Sequence, residues 1–218
     1  MTGTPEIPVR TNLALVAGST AGCAVLLWGA CHAEGPTRWG CAVAFSFLNN
    51  TVFSLTHEAV EGYNTNAKMN PPLRTQRDVE ALQQGLKDGT IDLLVTDHAP
   101  HHYDEKEREF ADAPNGIVGL ETALGVNVTW LLEPGILTLP QLVDRMACRP
   151  AKVFHLPGGT LAKGSLADVT VFDPTRAWTV DPTQFKSKGR NTPYGGRTLR
   201  GRALRTIVGG RIVYDLDG

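Results

Sequence analysis

The chain has 218 residues and a nearly balanced charge, with 21 lysines and arginines against 22 aspartates and glutamates. This balance predicts neither a nucleic-acid-binding nor a membrane-binding surface, and it favours a small-molecule partner. No apolar run reaches the ~20 residues of a membrane span, and the first residues lack a signal-like pattern, so we expect a cytoplasmic protein. The four cysteines have no C-x-x-C spacing and are expected to be free thiols.

The first 54 residues differ abruptly from the rest in composition. Charged residues among the first 50 are limited to Glu6, Arg10, Glu34 and Arg38. An apolar stretch within them is too short for a bilayer and lacks helix caps. We therefore predict a divergent or out-of-family N-terminal segment at residues 1–54, of which residues 1 to about 50 pack poorly.

Residues 75–96 carry the signals of a helix followed by a strand. Thr75 with Asp78 is typical of a capping box, and Gly89 stands where a helix C-terminal cap belongs. The following run, residues 91–96, has no polar alternation at its centre, which indicates a strand buried on both faces of a parallel sheet.

That run ends in Asp97, and three histidines follow it closely: His98, His101 and His102. In parallel α/β folds, catalytic groups collect where strands meet the following loops, so Asp97 is a candidate catalytic residue. The alternative is a strand end followed by a solvated loop. The next stretch, residues 104–109, is a run of charges that we expect to be solvated.

The remaining elements are predicted from local patterns. Apolar residues at helical spacing follow residue 120, and Thr138 with Gln141 forms a possible capping box. Residues 166–173 read as a strand, and residues 206–214 as a hairpin closed by Gly209 and Gly210.

Three motifs together resemble the dihydroorotases, which are metal-dependent cyclic amidohydrolases of pyrimidine biosynthesis. They are K-M-N-P-P-L-R at 68–74, T-D-H-A-P-H at 96–101 and G-I-V-G-L-E-T-A-L at 116–124. The resemblance runs from about Leu55 to the C-terminus and implies an α/β fold. Because 218 residues fall short of the roughly 250 of a complete (β/α)₈ barrel, it implies a partial TIM barrel at 55–157 and part of a small β-sandwich domain at 158–218.

The resemblance also assigns functional residues. It implies that Asp97 is a ligand of Zn²⁺ and the general acid/base, and that Asn70, His101, Asn115 and Gly116 contact the substrate. The family usually has an aromatic residue at the position of Asn115. The implied reaction is the reversible hydrolysis of the cyclic amide of dihydroorotate to N-carbamoyl-aspartate.

The family's other metal ligands are not found in this sequence: an H-x-H pair, a bridging carboxylate or carboxylated lysine, and two further histidines. Catalytic zinc typically needs three protein ligands, so we expect the chain alone to be inactive. Replacement ligands from His98, His101 and His102 are an open alternative. Two other hypotheses are a non-catalytic dihydroorotase-like partner of another pyrimidine-pathway enzyme and a hydantoinase or allantoinase fragment. Homo-oligomerisation is also open.

Overall fold

The computed structural model describes residues 50–218, and in this part of the chain the helices precede the strands. The helices are α1 (Gln76–Asp88), α2 (Tyr103–Lys106), α3 (Ala123–Asn127), α4 (Leu139–Val143) and α5 (Arg149–Val153). The strands are β1 (Val169–Thr179), β2 (Thr198–Val208) and β3 (Arg211–Asp215). Single π-helical turns are Val128–Leu132 and Asp144–Cys148, and 3₁₀ segments are His57–Tyr63, Thr65–Ala67 and Pro182–Gln184. The segment predicted to pack poorly, residues 1 to about 50, lies outside the described residues, whereas residues 51–54 are buried.

Helix α1 forms as its end signals predict. Thr75 and Asp78 make a capping box, which satisfies backbone N–H groups at the first turn. The helix ends at Gly89, whose left-handed φ of 89° costs glycine no steric strain. Val79 and Leu86 are buried, so the apolar face packs inward as expected.

The segment predicted as a buried strand, residues 91–96, is buried but forms no regular strand within residues 50–218. Val95 accepts a hydrogen bond from the Asn50 N–H at 3.1 Å, and Leu94 donates to the Arg145 carbonyl at 3.2 Å. Just after the segment, His98 forms an isolated parallel bridge with Ile117. A strand needs a continuous ladder on a neighbour to be regular, and the described neighbours offer only single bonds. The expectation of a regular strand is therefore wrong for this part of the chain.

The helices after residue 120 and the C-terminal part of the chain share one hydrophobic core. Thr138 and Gln141 form the predicted capping box at the start of α4. Leu131 and Leu142 are almost fully buried, in one cluster with Tyr194 and Leu199. Burial raises the pKa of Tyr194 to about 12, and its hydroxyl lies 2.6 Å from the Ser54 Oγ. Buried side-chain hydrogen bonds of Tyr194 thus join the C-terminal part to the first described residues.

The β part within residues 50–218 is one antiparallel sheet in the order β1-β2-β3. Gly209 and Gly210 connect β2 to β3 with φ values of 56° and 78°, the two positive φ values that a type I′ hairpin turn requires. The predicted hairpin is confirmed. Gly201 on β2 faces the π-helical turn Val128–Leu132 so closely that a Cβ there would lie 2.7 Å from the Val128 Cγ2. A cavity of about 560 Å³ lies between this sheet and the α3 region.

None of the helices at residues 50–218 is long and apolar enough to span a membrane.

Candidate active-site loops

Three backbone segments that carry the sequence motifs meet in the structure. The Gly116 N–H donates to the Lys68 carbonyl at 2.9 Å, which joins the first motif to the third. The Ala99 N–H donates to the Ile117 carbonyl at 2.8 Å, which joins the second motif to the third. Residues 48 positions apart in sequence are therefore held within one hydrogen-bonded set of loops.

Gly116 is the point of closest approach between these loops. Its φ is +128°, and a Cβ at this position would lie 2.6 Å from the Ala99 Cβ and 3.1 Å from the His101 Nε2. No side chain fits in that space without displacing backbone. Both polar backbone groups of Gly116 are used, since its carbonyl accepts from Asn191 and Lys106. The structure thus gives Gly116 a packing role, beside the substrate contact that the resemblance implies.

Asn191 connects the loops from the C-terminal part of the chain. Its Nδ2 donates to the Ala99 carbonyl at 2.9 Å and to the Gly116 carbonyl at 3.0 Å, while its Oδ1 accepts from the His101 N–H at 3.0 Å. The residue is only 4% exposed. Local sequence patterns assigned Asn191 no part in the site, because its three partners lie 75 to 92 residues away in sequence.

The His101 ring is held on both sides. Its Nε2 lies 2.9 Å from the Asn115 carbonyl, and its Nδ1 lies 3.3 Å from the Glu105 carboxylate. Carbonyl and carboxylate oxygens can only accept, so each of these two hydrogen bonds needs a proton on the ring nitrogen that makes it. In this conformation His101 orients the Asn115 backbone rather than presenting a free nitrogen to a ligand.

His98 is also fully engaged. Its Nδ1 accepts from the Gly119 N–H at 3.2 Å, so the proton of the neutral ring resides on Nε2, which lies 3.3 Å from the Ser187 Oγ. Burial lowers the pKa of His98, and the nearby Glu121 carboxylate opposes that shift only in part. A neutral ring with Nε2 protonated cannot take a proton from Ser187, so the pair is not a serine nucleophile with its base.

Asp97 and Asn70 lie at the surface of this loop set. Asp97 is exposed and has a φ of 46°, a left-handed conformation that aspartate tolerates better than most side chains. Asn70 is exposed and precedes a cis peptide bond to Pro71. Asn115 is exposed as well. These three side chains are the predicted site residues that solvent or a ligand can reach most readily.

The charge run at 104–109 is not wholly solvated, contrary to the prediction. Lys106, the last residue of α2, is only 4% exposed, although its neighbours Glu107 and Arg108 are exposed. Its ammonium donates to the carbonyls of Pro114 and Gly116. The buried lysine finds carbonyl partners that the sequence pattern does not reveal, because they come from a loop 8 to 10 residues away.

The described residues do not by themselves fit a metal ion. Residues 50–218 contain no group of three or more histidine, cysteine, aspartate or glutamate side chains placed to hold one. His98 and His101 use both ring nitrogens in other contacts, and the Nδ1 of His102 lies 3.2 Å from the Asp104 carboxylate. The alternative in which the three imidazoles replace the missing ligands finds no support in this geometry.

Sequence comparisons match the same part of the chain. Residues 110–214 match the model of the Amidohydrolase family. The dihydroorotase of Geobacter metallireducens is 59% identical over 162 residues, and that of Pelobacter propionicus is 56% identical over 162 residues. Each alignment covers 74% of this chain and 38% of the relative, so the chain spans well under half the length of these proteins.

Solved structures share the fold. The L-hydantoinase (dihydropyrimidinase) from Arthrobacter aurescens superposes with a TM-score of 0.72 at 32% identity, covering 77% of this chain and 38% of that one. The dihydropyrimidinase from Brevibacillus agri gives a TM-score of 0.71 at 25% identity over the same shares. Sequence identity is much higher to the dihydroorotases than to these neighbours. Over the part that these proteins match, the chain is therefore a dihydroorotase-like amidohydrolase.

Proposed function

We propose that this chain supplies the proton-transfer and substrate-facing part of a dihydroorotase site, for the reversible hydrolysis of dihydroorotate to N-carbamoyl-aspartate. The observation that carries the proposal is the meeting of the three motif segments through Gly116. The high identity to dihydroorotases favours this substrate over the cyclic amides that hydantoinases act on.

The proposed roles follow from exposure and hydrogen bonding. The exposed Asp97 carboxylate accepts a proton from the water that attacks the amide carbonyl. It then returns this proton to the departing nitrogen. The exposed amides of Asn70 and Asn115 offer donors to the substrate's carboxylate and carbonyl oxygens. His101 holds the Asn115 backbone in place, and a direct substrate contact from its ring would require it to leave that carbonyl.

The proposed reaction also needs a metal ion. The family implies a metal-dependent reaction, and we propose Zn²⁺ as the ion with Asp97 as one ligand. A single carboxylate does not hold a catalytic zinc, which typically has three protein ligands. The other ligands would have to come from beyond residues 50–218, so we assign no step to the ion here.

A chimera provides the test. The matched 162 residues of the Geobacter metallireducens dihydroorotase would be replaced by those of this chain, and dihydroorotate formation would be followed in the parent and the chimera. We expect metal-dependent turnover in the chimera and its loss in Asp97→Ala. Asp217→Ala, which changes an exposed carboxylate near the C-terminus, is the matched control and should keep the activity.

A folded, metal-loaded chimera without turnover would contradict the proposal and favour the non-catalytic alternative. Turnover of hydantoins but not of dihydroorotate would favour the hydantoinase alternative. A cytoplasmic location, a homo-oligomer and a complex with another pyrimidine-pathway enzyme stay predictions.

A further inference from the structure

Two lysines hold one loop from opposite ends. Lys68 lies in the first motif, and its Nζ donates to the carbonyls of Phe110 at 2.5 Å, Ala111 at 3.0 Å and Ala113 at 2.6 Å. Its charge also lies 5.1 Å from the centre of the Phe110 ring, within the range of a cation–π contact. Lys68 therefore fixes the first half of the segment 110–116, which we call the carbonyl loop.

Lys106 fixes the second half of the carbonyl loop. Its Nζ donates to the Pro114 carbonyl at 2.9 Å and to the Gly116 carbonyl at 3.1 Å. The backbone of Lys106 is itself tied down, because its carbonyl accepts from the Thr65 hydroxyl. The two ammonium groups together engage five carbonyls within seven consecutive residues.

Carbonyls take the place that a carboxylate usually fills beside a buried lysine. Within residues 50–218, neither Lys68 nor Lys106 forms an ion pair with an acidic side chain. Burial lowers the pKa of Lys106 to about 8, and the like charge of Lys68 adds to that effect. An unpaired buried charge is costly, so the hydrogen bonds that compensate it constrain the carbonyl directions strongly.

The carbonyl loop carries the group that meets His101. Between the carbonyls held by Lys106 lies the Asn115 carbonyl, which accepts from the His101 Nε2. At Gly116 the backbone N–H donates to the carbonyl of Lys68 itself. Both lysines thus act on the backbone that sets where Asn115 and the His101 ring lie.

We propose that Lys68 and Lys106 are positioning residues that shape the carbonyl loop and thereby place Asn115 and His101 in the site. The inference rests on the proposed function for its catalytic meaning, but the loop geometry is testable without turnover. Neither lysine needs to touch the substrate for this role.

The experiment is amide hydrogen exchange on the full chain and on Lys106→Met and Lys68→Met. Methionine keeps the unbranched shape and most of the length of the side chain but removes the donors. Lys87→Met, at an exposed position in the last turn of α1, is the matched control. We expect two amides to exchange about 10-fold faster or more in the two variants: that of Gly116, and that of Ala99, which donates to the next residue, Ile117. The reason is that the lost bonds come from a charged donor, and such bonds are stronger than neutral ones.

The β2–β3 hairpin serves as the internal reference, because it lies in a different part of the fold. Its amides should keep their protection in every variant. Equal loss of protection in the hairpin and in the loop would indicate general destabilisation and would overturn the inference, as would unchanged exchange at Gly116 in both variants. Lys68→Arg, which keeps several donors, should restore most of the loop protection.

A second readout separates this inference from the proposed function. Binding of N-carbamoyl-aspartate is measured by chemical-shift changes in the unsubstituted chain, which is the parent here, and in both methionine variants. Faster loop exchange with no binding even in the parent would support the positioning role and count against the proposed function. Intact loop protection with weakened binding in the variants would do the reverse.

Discussion

The substitution Asn191→Ala tests how much the loop set depends on one buried amide. It removes three side-chain hydrogen bonds, but the Gly116 carbonyl keeps its bond from Lys106. Two part-buried backbone groups, the His101 N–H and the Ala99 carbonyl, therefore lose their partner. A fully buried unpaired polar group costs about 1–3 kcal/mol, so we expect the free energy of unfolding to fall by up to roughly 2–6 kcal/mol.

Chemical denaturation followed by circular dichroism measures this change. Asn64→Ala is the matched control, because the Asn64 side chain also makes two hydrogen bonds to backbone, at 3.2 Å and 3.1 Å, but is exposed. Water replaces those bonds, so its effect should stay below about 1 kcal/mol. Equal effects of the two substitutions would refute the reasoning, since burial is the main difference between the sites.

Three further predictions use other parts of the site. The chain expressed alone should show no turnover of dihydroorotate even with added Zn²⁺. Asp97 supplies only general acid/base catalysis, which typically raises the rate by about 10²–10⁴-fold. Zinc-dependent turnover that is lost in Asp97→Ala would contradict this prediction. Since the pKa of Lys106 falls from 10.5 to about 8, the unfolded chain binds more protons between these values, and the free energy of unfolding should rise with pH across that window. Urea titrations at both ends of the window should show a smaller rise in Lys106→Met. Gly116→Ala should destabilise the chain by about 1–3 kcal/mol or more. Gly135→Ala should cost less, because Gly135 also has a positive φ but has open space around it. Thermal melts that rank the two variants in the other order would contradict the role given to the close approach at Gly116.

Local sequence signals predicted local structure well. The capping box of Thr75 and Asp78, the stop at Gly89 and the hairpin turn at Gly209 and Gly210 all depend on residues within a few positions of one another. Such elements follow from backbone geometry and nearby hydrogen bonds, so a sequence is enough to place them.

Features that depend on distant partners were predicted less well. Residues 91–96 have the apolar composition of a buried strand, but strand regularity depends on neighbours that the segment does not encode. Lys106 stands in a charge run and is nevertheless buried, because carbonyls of the carbonyl loop accept its hydrogen bonds. The role of Asn191 depends on contacts 75 to 92 residues away in sequence. Tertiary contacts of this kind leave no periodicity in the sequence.

The motif residues divide into two physical groups. The polar groups of Gly116, together with both ring nitrogens of His101, are used within the protein, whereas the side chains of Asp97, Asn70 and Asn115 are exposed. A ligand binds best to groups whose direction is already fixed, and the first group fixes the backbone of Asn115. Substitutions in the first group should therefore change loop exchange and ligand binding together. Substitutions of Asn70 or Asn115 should weaken ligand binding while the loops keep their protection.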